Sequence, residues 1–493
     1  MRCVSVVTAA LAALLFSLPT FPSGASAADE QPRLLKTVIL SRHGVRPPTQ
    51  TPKVLSDWSL RPWPVWDTPP GHLTGRGASL LRAEWAGMRS TLAFGGLLPA
   101  SECPDQGSIF LYADNEERTL ASAEAMAEGL APGCDLKVLS RPKGTDPVFH
   151  PVRGGFMPSP ELSPKQKKDL AEKLSIIQAD LGSRMEELGA LLGPVSSALC
   201  PPGNASCTLT DIPSSLSFPK QGSRKSVSLQ GGLAMASTCA EILLLESLQW
   251  PQKAQAIAAT APVVAPLSPG TPVEQKARQI ILAPRSDRPD TVSLPPLPLR
   301  QRAPFVPAQG DVMVNPATAL RLLPAHTRVQ NALQRFPAIA SQEGMPLLLL
   351  MAESLAGSSP LKGANEARLV VYAGHDTNIV NIAGLLGLHW NNVPFPMDST
   401  PPGSMLALSL WEGSGEPLVQ ASFLCQTPAA FLSTDENVMR EASLRHVPLI
   451  LPGSLTETPA GPGLPLSVFL SSARAMAGKE LMARLPELFV SAP

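Results

Sequence analysis

Three stretches far apart in this chain repeat one pattern: a short apolar run without alternation, a knot of polar residues, then a segment of helical periodicity. "LLKTVIL" runs into "SRHGVRPPTQ"; "SIFLYA" runs into "DNEERT" and "LASAEAMAEGLAPG"; "ARLVVYA" runs into "GHDTN" and "IVNIAGLLGL". A strand that is apolar on both faces must be covered on both, as parallel strands between helices are. The pattern predicts an α/β fold with a mostly parallel sheet flanked by helices. Ligands of such sheets bind beyond the carboxyl ends of the strands, so the three knots can meet although hundreds of residues separate them.

Between the second and third units the pattern turns helical. Ser163 and Pro164 supply an N-cap and a proline at the first helical position, opening "KQKKDLAEKLSIIQADLGSRMEELGALLG". Further helices read as "SLQGGLAMASTCAEILLLESLQ", "ALRLLPAHTRVQNALQRF" and "PLLLLMAESLAG". The expected organisation is a discontinuous α/β domain, residues 28–150 and 361–493, holding a smaller α-helical insertion domain at 151–360. Within the insertion, residues 251–316 are rich in proline, as in "PVVAPLSPGTP", and read as an extended excursion without regular ladders.

Residues 1–27 combine Arg2, an apolar stretch and an Ala25-Ser26-Ala27 cleavage pattern, which predicts a signal peptide and a periplasmic or secreted protein. No later segment reads as membrane-spanning. Six cysteines follow Cys3, and spacing suggests that Cys200 pairs with Cys207 and Cys103 with Cys134, while Cys239 and Cys425 stay unassigned. Forty basic and forty acidic residues cancel, so no bulk field recruits nucleic acid or anionic lipid. Any selectivity for anions must come from a local cluster.

The knots contain such a cluster: Arg42, His43 and Arg46, then Arg118, then His375 and Asp376. Guanidinium forks match phosphate oxygens, and gathering three in a desolvated cleft is costly without a multiply charged anion. Phosphoryl transfer needs a nucleophile, charge stabilisation and a proton for the leaving oxygen. A neutral His43 can attack phosphorus and form a phosphohistidine, with Gly44 leaving room for close approach of the backbone. His375 can donate to a phosphate oxygen, and Asp376 can act as general acid, which implies an acidic optimum. His72, His150, His326, His389 and His446 read as structural or surface residues, so no metal ligand set and no cofactor is expected.

"RHGVRPP" with a distant "GHDTN" resembles the paired signature of the histidine acid phosphatases, in the histidine phosphatase superfamily, branch 2. "HLTGRG", "DNEERT", "CTLTDIPS" and "STPPGS" extend the likeness to the bacterial phytases and glucose-1-phosphatases. The resemblance implies His43 as nucleophile, Asp376 as proton donor, and Arg42, Arg46, Arg118 and His375 as phosphate ligands. It also implies a substrate pocket containing Thr49, Gln50, Glu241 and Thr377. Gln50 stands where those phytases carry a lysine suited to inositol hexakisphosphate, whereas "HDT" is closer to phytases than to the "HDS" of glucose-1-phosphatases. The expected function is an exported acid phosphomonoesterase acting on a small phosphate monoester, with phytase or glucose-1-phosphatase activity as the finer alternatives. A mutase-like phosphotransferase and a noncatalytic phosphate binder are the remaining readings.

Overall fold

The computed structural model of the protein describes residues 32–220, 222–252, 291–295, 313–441 and 444–490. The expected signal peptide and most of the Pro-rich excursion lie outside the described residues. The strands are β1 (Leu34–Arg42), β2 (Ile109–Ala113), β3 (Val138–Ser140), β4 (Ser215–Ser217), β5 (Ser228–Gln230), β6 (Thr291–Ser293), β7 (Leu369–Gly374), β8 (Met405–Trp411), β9 (Leu418–Gln426), β10 (Leu444–Leu449), β11 (Thr456–Thr458) and β12 (Gly461–Pro465). The principal helices are α1 (Gly75–Phe94), α2 (Glu117–Leu130), α3 (Pro164–Asp180), α4 (Gly182–Leu192), α5 (Gly232–Gln249), α6 (Pro316–Leu322), α7 (Pro324–Gln334), α8 (Pro337–Ala356), α9 (Asp376–Leu386) and α10 (Leu466–Arg484).

The main sheet has a parallel core, β3-β2-β7-β1, extended beyond β1 by the antiparallel strands β8 and β9, with β10 and β12 on the far edge of β9. The parallel core follows the expected pattern. Sequence reasoning assigns no strand to the antiparallel wing, although β8 and β9 carry the same non-alternating apolar runs and are almost wholly buried. Successive residues of the core strands point to opposite faces. Val38, Leu40, Tyr112, Val370 and Tyr372 meet α8, α9 and α10 on one side, and Ile39, Leu111, Val371 and Ala373 pack with α1 and α2 on the other.

Register places the functional knots at one edge. Arg42 pairs with Gly374, and Ala373 with Ala113, so His43, His375 and Asp114 are the next residues out of three neighbouring strands. The chain path is held there by backbone bonds, His43 N–H to Gly374 O at 3.0 Å and Asp114 N–H to Ala373 O at 3.0 Å.

A second apolar cluster joins α3, α4, the first half of α5, α6 and α7 with the small sheet β5-β4-β6. We propose the two clusters as the cores of the α/β unit and of the helical insertion; α8 nonetheless packs mainly on the main sheet. The long predicted helices are divided where chemistry demands it. Pro324, which lacks an N–H, separates α6 from α7, and Leu181 is the cap between α3 and α4. Ser163 caps α3 as expected: its Oγ accepts from Gln166 N–H, and its own N–H donates to Gln166 Oε1 at 2.9 Å. α5 begins at Gly232 rather than Ser228, because Gly231 turns the chain at φ 82° where any Cβ would collide with Pro213 O. At the edge of the excursion, Thr291–Ser293 forms a ladder with β4, contrary to the reading of that stretch as free of ladders. Both expected disulfides are present, and Cys239 and Cys425 are buried free thiols.

One carboxyl inside this core has no partner among the described residues. Glu84 of α1 is wholly buried, and neither carboxylate oxygen has a hydrogen-bond partner among the described residues. Burial pushes its pKa well above the ordinary carboxylate value, so the folded protein holds a proton there that the unfolded chain releases. Stability contributed by that proton is fully present below Glu84's unfolded pKa and is lost, by about 1.4 kcal/mol per pH unit, only between the unfolded pKa and the raised folded one. Glu84→Gln should therefore gain thermal stability over the parent as pH rises, with little gain near pH ~4. Calorimetric melting curves at acidic and neutral pH check this, and equal shifts at both would refute it.

Candidate active site

β1 delivers Arg42 and His43 to the sheet edge, each only 2% exposed. Nη1 of Arg42 donates to Thr400 O, and Nη2 donates to Glu241 of α5 and lies 3.0 Å from Asp376 of α9. Arg46 approaches Glu241 at 3.9 Å. The Nε–H groups of Arg42, Arg46 and Arg118 are buried without a partner among the described residues. An unpaired buried donor costs about 1–3 kcal/mol, so the cluster gains from an added acceptor.

His43 Nδ1 lies 2.9 Å from the carbonyl of Gly44. A carbonyl only accepts, so Nδ1 carries the proton and Nε2 presents the lone pair. Burial, then Arg46, Arg42, Arg118 and His375, push the His43 pKa well below the ordinary value, so the ring stays neutral in acid. The space left by Gly44 serves packing. A Cβ there would stand 2.9 Å from Leu73 and Leu81 and 3.1 Å from Gly77 O, so the glycine admits the start of α1 rather than a ligand.

Behind His43, His375 lies with ring centroids 5.7 Å apart. Its Nε2 bonds Asp114 Oδ2 at 2.6 Å, and Nδ1 faces Arg118 Nη2 at 3.4 Å. Arg118 also pairs with Glu116, which in turn binds Arg153 at 2.9 Å, so both a solvated-turn partner and a site contact exist for this arginine. His375 is the N-cap of α9, its N–H donating to Asn378 Oδ1 at 3.0 Å. Asp376 is thus the first helical residue, with its carboxylate on Arg42. Burial would raise the Asp376 pKa, but Arg42, His326, Arg46 and His375 outweigh it and hold the carboxyl ionised, well below the ordinary range.

The six residues expected to converge do so, and Glu241 joins them through Arg42. Thr49 sits beside Gly71, which itself lies against Arg118. Gln50 is half-buried on the same loop as Thr49, and the Thr377 N–H donates to Asp376 Oδ1 at 2.7 Å. The cluster is more nearly balanced in charge than the arginines alone indicate: Asp114 and Glu116 come from the same "DNEERT" as Arg118, and Glu241 comes from α5. Two histidines read as structural or surface residues also arrive: His150 binds Asp114 at 2.9 Å, and His326 groups with Glu241 and Asp376 within 4.8 Å. Nothing in their sequence spacing marks them, because loop and helix packing brings them in.

Asp114, Glu116, His150 and His375 likewise offer ligand atoms within 4.8 Å of one another. Each carboxylate is already engaged, and Arg42, Arg46, Arg118 and Arg153 oppose a cation, so the donor set fits an anion better than a metal.

A profile of the histidine phosphatase superfamily (branch 2) matches residues 33–172 and 325–424. Phytase AppA of Escherichia coli is 29% identical over 425 residues, spanning 83% of this chain and 85% of that protein. A glucose-1-phosphatase of Salmonella typhimurium is 37% identical over 123 residues, 24% of this chain and 30% of that protein. Among solved structures, the apo form of Hafnia alvei phytase superposes with a TM-score of 0.68 at 28% identity, covering 91% of this chain and 98% of that one. The same phytase in complex with myo-inositol hexakis sulphate gives 0.67 at 26%, covering 92% and 99%. The site residues lie within the matched segments except Glu241, and the chain belongs to the histidine phosphatase superfamily, branch 2.

Proposed function

We propose that the protein is an exported acid phosphomonoesterase that works through a phosphohistidine at His43. The observation that carries this reading is a buried histidine kept neutral in acid and facing three arginines. An ordinary histidine is protonated below about pH 6.5 and has no lone pair to give. Here burial, together with the same arginines that attract the phosphoryl group, keeps the nucleophile free of its competing proton.

In the first step His43 Nε2 attacks phosphorus, the ester P–O bond breaks, and Asp376 gives its proton to the leaving oxygen. Water then attacks the phosphorus, returns a proton to Asp376, and the P–N bond breaks to restore Nε2. Arg42, Arg46 and Arg118 hold the equatorial oxygens throughout. Two disulfides support a periplasmic or secreted location, because such bonds persist in oxidising compartments. No described helix is long and apolar enough to cross a membrane.

Release of inorganic phosphate from p-nitrophenyl phosphate at acidic pH, with an acid-labile phosphate trapped on His43, tests the reading. Transfer between phosphorylated acceptors without net release would replace it with a mutase. Substrate choice turns on the pocket. Gln50 leaves one cation fewer for a many-phosphate substrate, so Gln50→Lys should raise kcat/KM for inositol hexakisphosphate relative to glucose 1-phosphate by about two- to fivefold. A comparison of both substrates checks this, and an unchanged ratio would remove Gln50 from the specificity argument.

A further inference from the structure

One oxygen of Asp114 serves two histidines. Oδ2 lies 2.6 Å from His375 Nε2 and 2.9 Å from His150 Nε2, and the two rings have centroids 4.9 Å apart. A carboxylate only accepts, so both rings carry a proton on Nε2. In neutral His375 the remaining nitrogen, Nδ1, is an acceptor and has no proton for a phosphate oxygen. Only the imidazolium form donates from Nδ1, on the side where Arg118 stands. Phosphate binding by His375 therefore depends on a second proton, and that proton depends on the charges around it.

We propose that His150 is a positioning residue for phosphate binding, acting through the Asp114 carboxylate that it shares with His375. The inference rests on the phosphate-site reading above. The groups facing the pair come from every neighbouring element: Asp114 after β2, Glu116 and Arg118 at the start of α2, and Arg153 from the loop after β3. Glu343 of α8 feels both His150 and Arg153, and His43 faces His375 from β1. Burial opposes the second proton on His375, Asp114 favours it, and positive charge on His150 and Arg118 opposes it. His150 thus works in two ways. It takes part of the acceptor that steadies imidazolium His375, and when charged it repels the same proton.

Removing that charge lets His375 keep its second proton to higher pH. His150→Asn preserves an N–H donor for Asp114 but cannot ionise, and His150→Gln offers the same chemistry at a different length should the first variant fail to fold. The inhibition constant of inorganic phosphate, measured against pH with p-nitrophenyl phosphate as reporter, should rise at a pH about half to one unit higher in either variant. At the parent's optimum kcat should change less than about threefold, because His150 touches neither phosphorus nor the leaving group. A purely structural role would lower kcat evenly and leave the inhibition curve where it was. Superimposed curves in a parent that phosphate inhibits would overturn the role of His150 alone. A parent that phosphate does not inhibit at any pH would overturn the phosphate-site reading as well.

Discussion

His43→Ala should lower turnover on every phosphate ester by on the order of 10⁴-fold or more while leaving the fold and phosphate binding in place. The backbone bonds that anchor this position are independent of the ring: His43 N–H to Gly374 O at 3.0 Å, and Gly403 N–H to His43 O at 3.1 Å. Arg42 keeps its contacts with Thr400, Glu241 and Asp376, so the anion cradle survives. The variant should still be protected against thermal unfolding by inorganic phosphate, and should trap no acid-labile label in a single-turnover experiment. The loss should also be independent of the leaving group, since the bond-forming atom is gone whatever departs. Residual activity within about tenfold of the parent would mean that another group attacks phosphorus.

How the site assembles explains which parts of it can be read from residues alone. β1, β2 and β7 are evident because non-alternating apolar runs have few other uses, and parallel register then carries Arg42, Ala113 and Gly374 to a common edge. The polar residue after each strand is therefore a site candidate by position. Glu241 reaches Arg42 through a different kind of contact. It depends on α5 leaning on the α/β unit through Leu244, Leu245 and Leu248, which pack with Val45, Leu80 and Phe431. No periodicity within α5 reports that docking. His150 and His326 are hidden for the same reason; β8 and β9 carry apolar runs of their own, and what those runs leave open is the antiparallel pairing with β1 and with each other. Charge is legible in part: Asp376 and Glu116 lie in the knots themselves and pair with Arg42 and Arg118, whereas Glu241 arrives on α5 through packing.

Those carboxylates shape the second large effect. Asp376→Asn should cut kcat on alkyl phosphates by about 10²- to 10⁴-fold, yet change kcat on p-nitrophenyl phosphate by less than about tenfold. An alkoxide is a poor leaving group and needs a proton as the P–O bond breaks, whereas nitrophenolate leaves without one. In the free site Asp376 is ionised on Arg42 at 3.0 Å. An arriving phosphate takes up Arg42 and adds negative charge, and both changes raise the proton affinity of Asp376. Substrate binding is thus coupled to proton uptake, so kcat/KM for alkyl esters in the parent should fall as pH rises and the proton becomes scarcer. In Asp376→Asn that slope should flatten, because asparagine has no proton to gain. Glu241 still holds Arg42 in the variant, which keeps the cradle formed and separates proton supply from anion binding. Equal losses on both esters would instead make Asp376 a support for Arg42, and the proton for the leaving oxygen would have to come from the bound phosphate monoanion or from solvent.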